Sequence, residues 1–382
     1  MHKYITKVKH RINQIFTKKL ISLKPNGGIR GYVLLSYLIS PFLLKEGQSI
    51  SNSHTNQWEC FQIAQTFLDL GYEVDVIDYT NEEFIPKKDY SFFIDIHSNM
   101  ERISPYLNSD CIKIVHLTGA DWLFQNYSEY KRLFDLQQRK GVSLIPRRIV
   151  KSSKRMQIAD YATTLGNKFT LDTFKYYNKI ICQIPISTTN IYPYPEDKDY
   201  EYSRNHFLWL GSSGLVHKGL DLVLEAFAEM PDFHLTVCGP VSDEKDFETA
   251  FYKELYQTQN IQTLGLIDVG SSEFVGTTRN CIALIYPSCS EGGGGSAIVC
   301  LHAGLIPIVS YESSVNVNEF GFQLESCSID NIKKCVKTVA NLPEQELKQR
   351  SKMAWDFARS HHTKENFADK YRQFVTSLID KK

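Results

Sequence analysis

Two spacings of apolar residues alternate along this chain. Short apolar runs bounded by turn residues read as strands buried in a parallel sheet. Between them, apolar positions recur every three to four residues, as on one face of a helix. In the first half the runs are Arg30 to Tyr37, Glu73 to Asp78, Phe92 to His97 and Cys111 to His116, followed by Ala159 to Gly166 and Lys179 to Pro185. A helical pattern from Gln57 to Leu70, ended by Gly71, joins the first two as a βαβ unit. Residues 121–160 are polar, aromatic and mostly helical in pattern. The stretch Ile191 to Asp199 gathers prolines and charges without periodicity and reads as a linker. The alternation then restarts with strands at Phe207–Leu210, His234–Gly239 and Ile261–Leu264. A final helix is predicted over Lys364–Ile379 from Phe367, Tyr371, Phe374, Val375 and Leu378. Strands alternating with helices in both halves predict an α/β protein of two Rossmann-like, doubly wound domains.

One stretch organises the second half. The run Ile282 to Tyr286 leads into Pro287-Ser288-Cys289-Ser290-Glu291, four glycines from Gly292 to Gly295, and Ser296. A helical segment ends at Gly304, and a second apolar run spans Leu305 to Val309. This is strand, glycine loop, helix, strand. Glycines let a backbone approach a ligand closely, and a helix N-terminus offers free N–H groups. Glu291 enters that loop at the C-terminal end of a strand, where open α/β sheets bind ligands. A second loop, Gly211 to Gly219, carries Lys218 at a helix start. A cation there is unfavourable unless an anion is bound. Such a lysine is expected to support little packing.

Composition narrows the class. The 382 residues suffice for two domains, and 42% hydrophobic with 23% charged residues is ordinary for a globular protein. Zero net charge argues against a general nucleic-acid binder. Nine cysteines without a CxxC pair read as thiols of a reducing, cytoplasmic compartment. The charge is uneven, because nine Lys or Arg residues precede the first acidic residue, Glu46. Residues 1–24 read as a basic amphipathic helix with Ile5, Val8, Ile12, Ile15, Phe16 and Leu20 on one face. Such a helix suits an anionic membrane surface at the inner face of the cell membrane, or packs on the protein body. Arg147, Arg148, Lys151, Lys154 and Arg155 form a basic cluster, either a solvated face or a docking site for phosphate or lipid head groups. His97 and His116 fall at the ends of two strands, which makes a site there worth weighing against hydrogen-bonded structural histidines.

Gly211…Lys218-Gly219-Leu220-Asp221, Glu291-Gly292 and Ala303-Gly304-Leu305-Ile306-Pro307 resemble the retaining nucleotide-sugar glycosyltransferases of the GT-B fold, family 4 (glycosyl transferases group 1). The likeness covers residues 205–380 well and residues 30–190, with the Asp160 segment and the His116 strand end, more weakly. It implies two domains facing a central cleft. Residues 25–195 would form the acceptor-side domain, with a C-terminal helix in 361–382 packing back on it. Residues 196–360 would bind the nucleotide sugar. The resemblance implies a hexosyltransferase acting with retention, without metal or cofactor, on a lipid-linked or polysaccharide acceptor in cell-envelope glycan synthesis. Lys218 would hold the leaving diphosphate, and Glu291 with Gly292, Gly293 and Gly294 would grip the donor sugar. Gly211, Ser212, Gly295 and Ser296 would complete the donor site, and His116 would face the anomeric centre. His54, Thr55 and His97 would lie on the acceptor side. Three departures stand out. Ser212 replaces an arginine, so Lys218 neutralises the diphosphate with less help. Val299 replaces a ribose-binding glutamate. His54-Thr55 replaces a glycine pair. A catalytically silent protein of the same fold, binding a glycan or a partner enzyme, is the alternative. A nucleotide-sugar epimerase of this fold fits the Glu291 loop poorly.

Overall fold

The computed structural model describes residues 20–381. The first half is a seven-stranded sheet, β1 (Leu20–Leu23), β2 (Gly31–Tyr37), β3 (Tyr72–Asp78), β4 (Phe92–Asp95), β5 (Ile112–Leu117), β6 (Tyr161–Thr164) and β7 (Ile181–Gln183), in the order β1-β3-β2-β4-β5-β6-β7. All neighbours run parallel except β1, which pairs antiparallel with β3, Leu20 opposite Ile77. The predicted helix over residues 1–24 therefore does not reach its expected end. Residues 20–23 close the sheet edge as a strand, and residues 1–19 lie outside the described residues.

The second half is a six-stranded, all-parallel sheet. Its strands are β8 (His206–Leu210), β9 (His234–Cys238), β10 (Ile261–Gly265), β11 (Ala283–Tyr286), β12 (Ile306–Val309) and β13 (Phe322–Gln323), ordered β10-β9-β8-β11-β12-β13. The chain reverses its direction of winding between β8 and β11, which pair Ala283 with Phe207 and Leu284 with Leu208. The crevice outside such a switch point is where doubly wound sheets hold ligands. The strands read as continuous apolar runs because both faces are covered. Ala283, Leu284, Ile285 and Tyr286 are all at most 1% exposed.

Helices cover both sheets: α1 (Thr55–Asp69), α2 (Trp122–Lys140), α3 (Leu220–Ala228), α4 (Ser272–Asn280), α5 (Gly295–His302), α6 (Ile329–Ala340), α7 (Glu344–His361) and α8 (Lys364–Ile379). The apolar residues that predicted α8 are all buried. It lies against α1, with Phe367 edge-on to Trp58 at 5.8 Å and Arg372 bonded to Asp69 at 2.6 Å. A continuous apolar cluster runs from Val33 and Ile94 through Ile184, Ile186 and Tyr192 to Leu208 and Leu284, joining the two halves.

The segment from α2 to residue 150 departs from the expected layout. After Lys140 the chain leaves the helical conformation, with Gly141 in the left-handed region at φ 70°. The segment docks on the second half. Leu136 is fully buried in that core, beside Leu133, Val142 and Leu144. Arg139 pairs with Asp221 at 2.7 Å and Glu225 at 3.0 Å, Lys140 with Glu254 at 2.6 Å, and Arg147 with Asp246 at 2.6 Å.

Candidate active site

The loops leaving β8 and β11 are stitched together at the switch point. Cys289 N–H donates to the His217 carbonyl at 2.9 Å, and His217 Nε2 lies 2.7 Å from the Ser290 carbonyl. His217 Nδ1 lies 2.7 Å from Glu129 Oε2 on α2. Both partners are acceptors, so the ring donates from both nitrogens and is an imidazolium. Burial opposes that charge, but Cys289 and Glu129 outweigh it and raise the pKa to about 9.

Next to His217, Lys218 Nζ donates to Glu291 Oε1 at 2.6 Å and to the Tyr286 hydroxyl at 2.9 Å. The same Glu291 oxygen accepts from Tyr286 at 2.7 Å and Ser288 at 2.8 Å. Burial pushes the Glu291 carboxyl up, but Lys218, His217 and Arg148 together hold it at about 2. Lys218 is itself pushed below the usual lysine range, by burial first and by Arg148, with Glu291 opposing. The two downward shifts have different causes: burial disfavours the charged lysine, whereas the neighbouring cations favour the charged carboxylate. With side chains 4% and 12% exposed, Lys218 is buried and Glu291 is the more exposed of the two, so the expectation that Lys218 supports little packing is corrected.

The glycine loop after Glu291 has packing reasons of its own. A Cβ on Gly292 would lie 2.5 Å from the backbone of Thr118 and Gly119, so this residue lets the two halves touch. Gly294, at φ 58°, caps α5 in the left-handed region. Gly293 and Gly295 line the same turn, and Ser296 is half-buried at the start of α5. Gly211 is buried against Trp209 and Lys218, while Ser212 is exposed. Val299 packs in the core at 6% exposure and supplies no polar group.

The first half contributes unevenly. His54 is exposed as the N-cap of α1, its Nδ1 accepting from Asn56 N–H at 3.2 Å. Its pKa is lowered by partial loss of solvent first, then by the charges of Lys218 and Arg148, with Asn56 and Glu291 opposing. Thr55 does not line the site: it is 5% exposed and bonds Glu59 in the interior. His97 stacks on Tyr79 and is influenced by Arg155 and Lys151 rather than by Lys218.

His116 is the clearest correction. It is fully buried inside β5, its Nδ1 2.7 Å from Thr163 Oγ1 and its ring enclosed by Tyr37, Phe367 and Tyr371. Burial lowers its pKa to about 4, so it is a neutral core residue that does not face the cleft. The two strand-end histidines are also not equivalent. Asp95 lies level with Val115, so His97 and His116 are one residue out of step. The residue that reaches the cleft edge beside Gly292 is Thr118.

Sequence reasoning missed Tyr286, Ser288, His217 and Glu129, and left Arg148 between two readings. Tyr286 and Ser288 stood within five residues of Glu291, where strand alternation could have indicated them. Glu129 is 88 positions from His217 and carries no local signal. The basic cluster divides, with Arg147, Lys151 and Lys154 exposed and the other two turned inward. Arg155 is 7% exposed and bonds the Ile96 carbonyl at 2.5 Å, and Arg148 lies over the Gly214 turn.

The two doubly wound halves, with the charged pair at the switch point of the second sheet, have the GT-B fold. No protein-family model matches the chain. Among solved structures, sucrose-phosphate synthase from Thermosynechococcus elongatus is similar at 13% identity, covering 92% of this chain and 100% of that one, with a TM-score of 0.65. HepE from Anabaena, in complex with UDP and glucose, matches at 11% identity over 92% of this chain and 99% of its own, TM-score 0.56. TarM from S. aureus, in complex with UDP and α-GlcNAc-glycerol, matches at 13% identity over 73% of this chain, TM-score 0.52; the match spans only 54% of the TarM chain. Human lymphocyte antigen 86 is 49% identical over 49 residues, which are 12% of this chain and 29% of that protein.

Proposed function

We propose that the protein is a glycosyltransferase that moves a hexose from a nucleotide-sugar donor to a glycan or lipid-linked acceptor, with retention of configuration. The observation that carries this reading is the 2.6 Å pair of Lys218 and Glu291 on the loops leaving the two central strands of the second sheet. Lys218 uses two of its three N–H groups on Glu291 and Tyr286, which leaves one for a diphosphate oxygen. Charge grows on that diphosphate as it leaves, and a fixed cation at this point lowers the barrier. The three hydrogen bonds to Glu291 all fall on Oε1, which leaves Oε2 to accept from a sugar hydroxyl.

The step exchanges one bond for another at the anomeric carbon. The bond to the diphosphate oxygen breaks with its electron pair, and the bond to the acceptor oxygen forms. A carboxylate held at about 2 is a weak base, and His116 is buried. In the retaining step proposed here, the acceptor proton passes to the leaving diphosphate oxygen on the same face of the sugar. The UDP and glucose bound to HepE and the UDP bound to TarM support a uridine donor as the first to test.

Support for an envelope acceptor at the membrane's inner face is compositional: the basic segment 1–24 suits an anionic surface. Among the described residues no helix is long and apolar enough to cross a membrane. A second reading, a silent protein that binds a glycan without turnover, is favoured by the burial of His116 and the apolar Val299. A thermal-shift panel of UDP-, GDP-, ADP- and CMP-sugars tests donor binding. One donor should raise the melting temperature in proportion to the logarithm of its concentration. Absence of any shift at millimolar donor would overturn the donor-binding reading.

A further inference from the structure

The α2 segment carries one basic group that its docking does not use. Arg139, Lys140 and Arg147 each pair with a carboxylate of the second half. Arg148 has no ion-pair partner among the described residues, and its Nε is buried without a hydrogen bond. Its backbone is nevertheless fixed on both sides. Its N–H donates to Glu129 Oε1 at 3.2 Å, beside the Arg147 N–H at 2.7 Å, and its carbonyl accepts from Gln125 Nε2 at 2.6 Å. Glu129 at the same time holds His217 through its other oxygen. One carboxylate thus ties the segment to the loop that carries Lys218.

The side chain of Arg148 lies directly on that loop. A Cβ at Gly214 would meet its Cγ at 2.6 Å and its Cδ at 2.9 Å, so only glycine lets the arginine stem cross there. From this position the guanidinium acts electrostatically on Lys218, Glu291, Tyr286 and His54. Glu129 pairs with His217, Glu291 with Lys218 and Asp246 with Arg147, while Glu244 accepts from the Gly214 and Leu215 N–H groups, so each nearby carboxylate is engaged elsewhere and Arg148 is left without an ion-pair partner among the described residues.

We propose that Arg148 is a second diphosphate-binding cation of the donor site, delivered from the α2 segment to the place where Ser212 leaves the β8 loop without one. This rests on the donor-binding reading above and deepens it. A planar, always charged guanidinium matches two oxygens of a diphosphate, whereas Lys218 offers a point charge. Glu129 is then a positioning residue, since it fixes both the backbone of Arg148 and the ring of His217.

The test is isothermal titration of UDP, GDP and ADP, each with its nucleoside monophosphate, into wild type, Arg148→Gln and Arg148→Lys. Thermal unfolding of each variant confirms the fold, which should survive because among the described residues the guanidinium has no ion-pair partner and its Nε no hydrogen bond. For the diphosphate that wild type binds, Arg148→Gln should weaken affinity by about tenfold or more. Arg148→Lys should recover part of that loss, and the monophosphate should be affected less. Binding of that diphosphate to Arg148→Gln within about twofold of wild type would overturn the proposal and leave the donor reading standing. Failure of wild type to bind any nucleoside diphosphate would overturn both.

Discussion

Replacing Lys218 with methionine removes the ammonium 2.6 Å from Glu291 while keeping most of the side chain's volume. The wild-type carboxyl titrates at about 2 instead of 4.5. At about 1.4 kcal/mol per unit, this depression is worth roughly 3 kcal/mol of stability at neutral pH. Burial works against it, and Lys218 is the largest of the three cations that produce it, ahead of His217 and Arg148, so the loss with Lys218 is on the order of 2 kcal/mol. The sign follows from the depressed pKa. The contribution is fully present above the unfolded value of 4.5 and is lost as pH falls through about 2. Lys218→Met should therefore be less stable than wild type by about 2 kcal/mol at pH 7, with the gap narrowing below about pH 4. Adding Glu291→Gln should return much of the loss, since no unpaired buried carboxylate then remains. Urea unfolding of wild type, the two single variants and the double variant at several pH values gives the full cycle. A gap below about 0.5 kcal/mol at pH 7, or one that does not change with pH, would refute the argument.

Three other perturbations follow from the same geometry. His217 has its pKa raised to about 9, so its ion pair with Glu129 stabilises fully below 6.5 and is lost as pH rises through about 9; wild type should destabilise across that window, and His217→Gln should lack the transition. Glu59 is fully buried and burial raises its carboxyl to about 7, so it costs stability as pH rises from 4.5; Glu59→Gln should be the more stable protein at pH 8, by up to about 3 kcal/mol in denaturant melts, and equal stability there would count against a strained carboxylate. Gly292→Ala puts a methyl 2.5 Å from the Gly119 backbone and should destabilise by about 1–3 kcal/mol, read by thermal unfolding, whereas a neutral effect would mean that the halves separate freely at this contact.

The two-sheet architecture was legible because its strands are covered on both faces and so appear as unbroken apolar runs. Ile282–Tyr286 and Leu305–Val309 were found for that reason, and α8 because its buried residues repeat at helical spacing. Lys218 and Glu291 were legible because each is a charged residue in a glycine-containing loop after a strand. Residues 20–23 were misread because four residues cannot separate the two periods when their strand partner, residues 74–77, lies some fifty positions away. His116 was misplaced because a strand-end position does not say which face a side chain takes, and a one-residue offset decides it. The docking of α2 on the second half, and with it Glu129 and Arg148, depends on pairings across 80 positions or more, such as Arg139 with Asp221, that no local pattern encodes.

The most direct test of the central claim is nucleoside diphosphate release from a panel of nucleotide sugars, measured with wild type and Glu291→Gln under identical conditions. If Lys218 and Glu291 form a donor site, wild type should hydrolyse at least one donor slowly without an acceptor. Glu291→Gln should lose at least about tenfold of that rate while remaining folded. Folded wild type that releases no nucleoside diphosphate from any donor, or Glu291→Gln that matches it, would contradict the account.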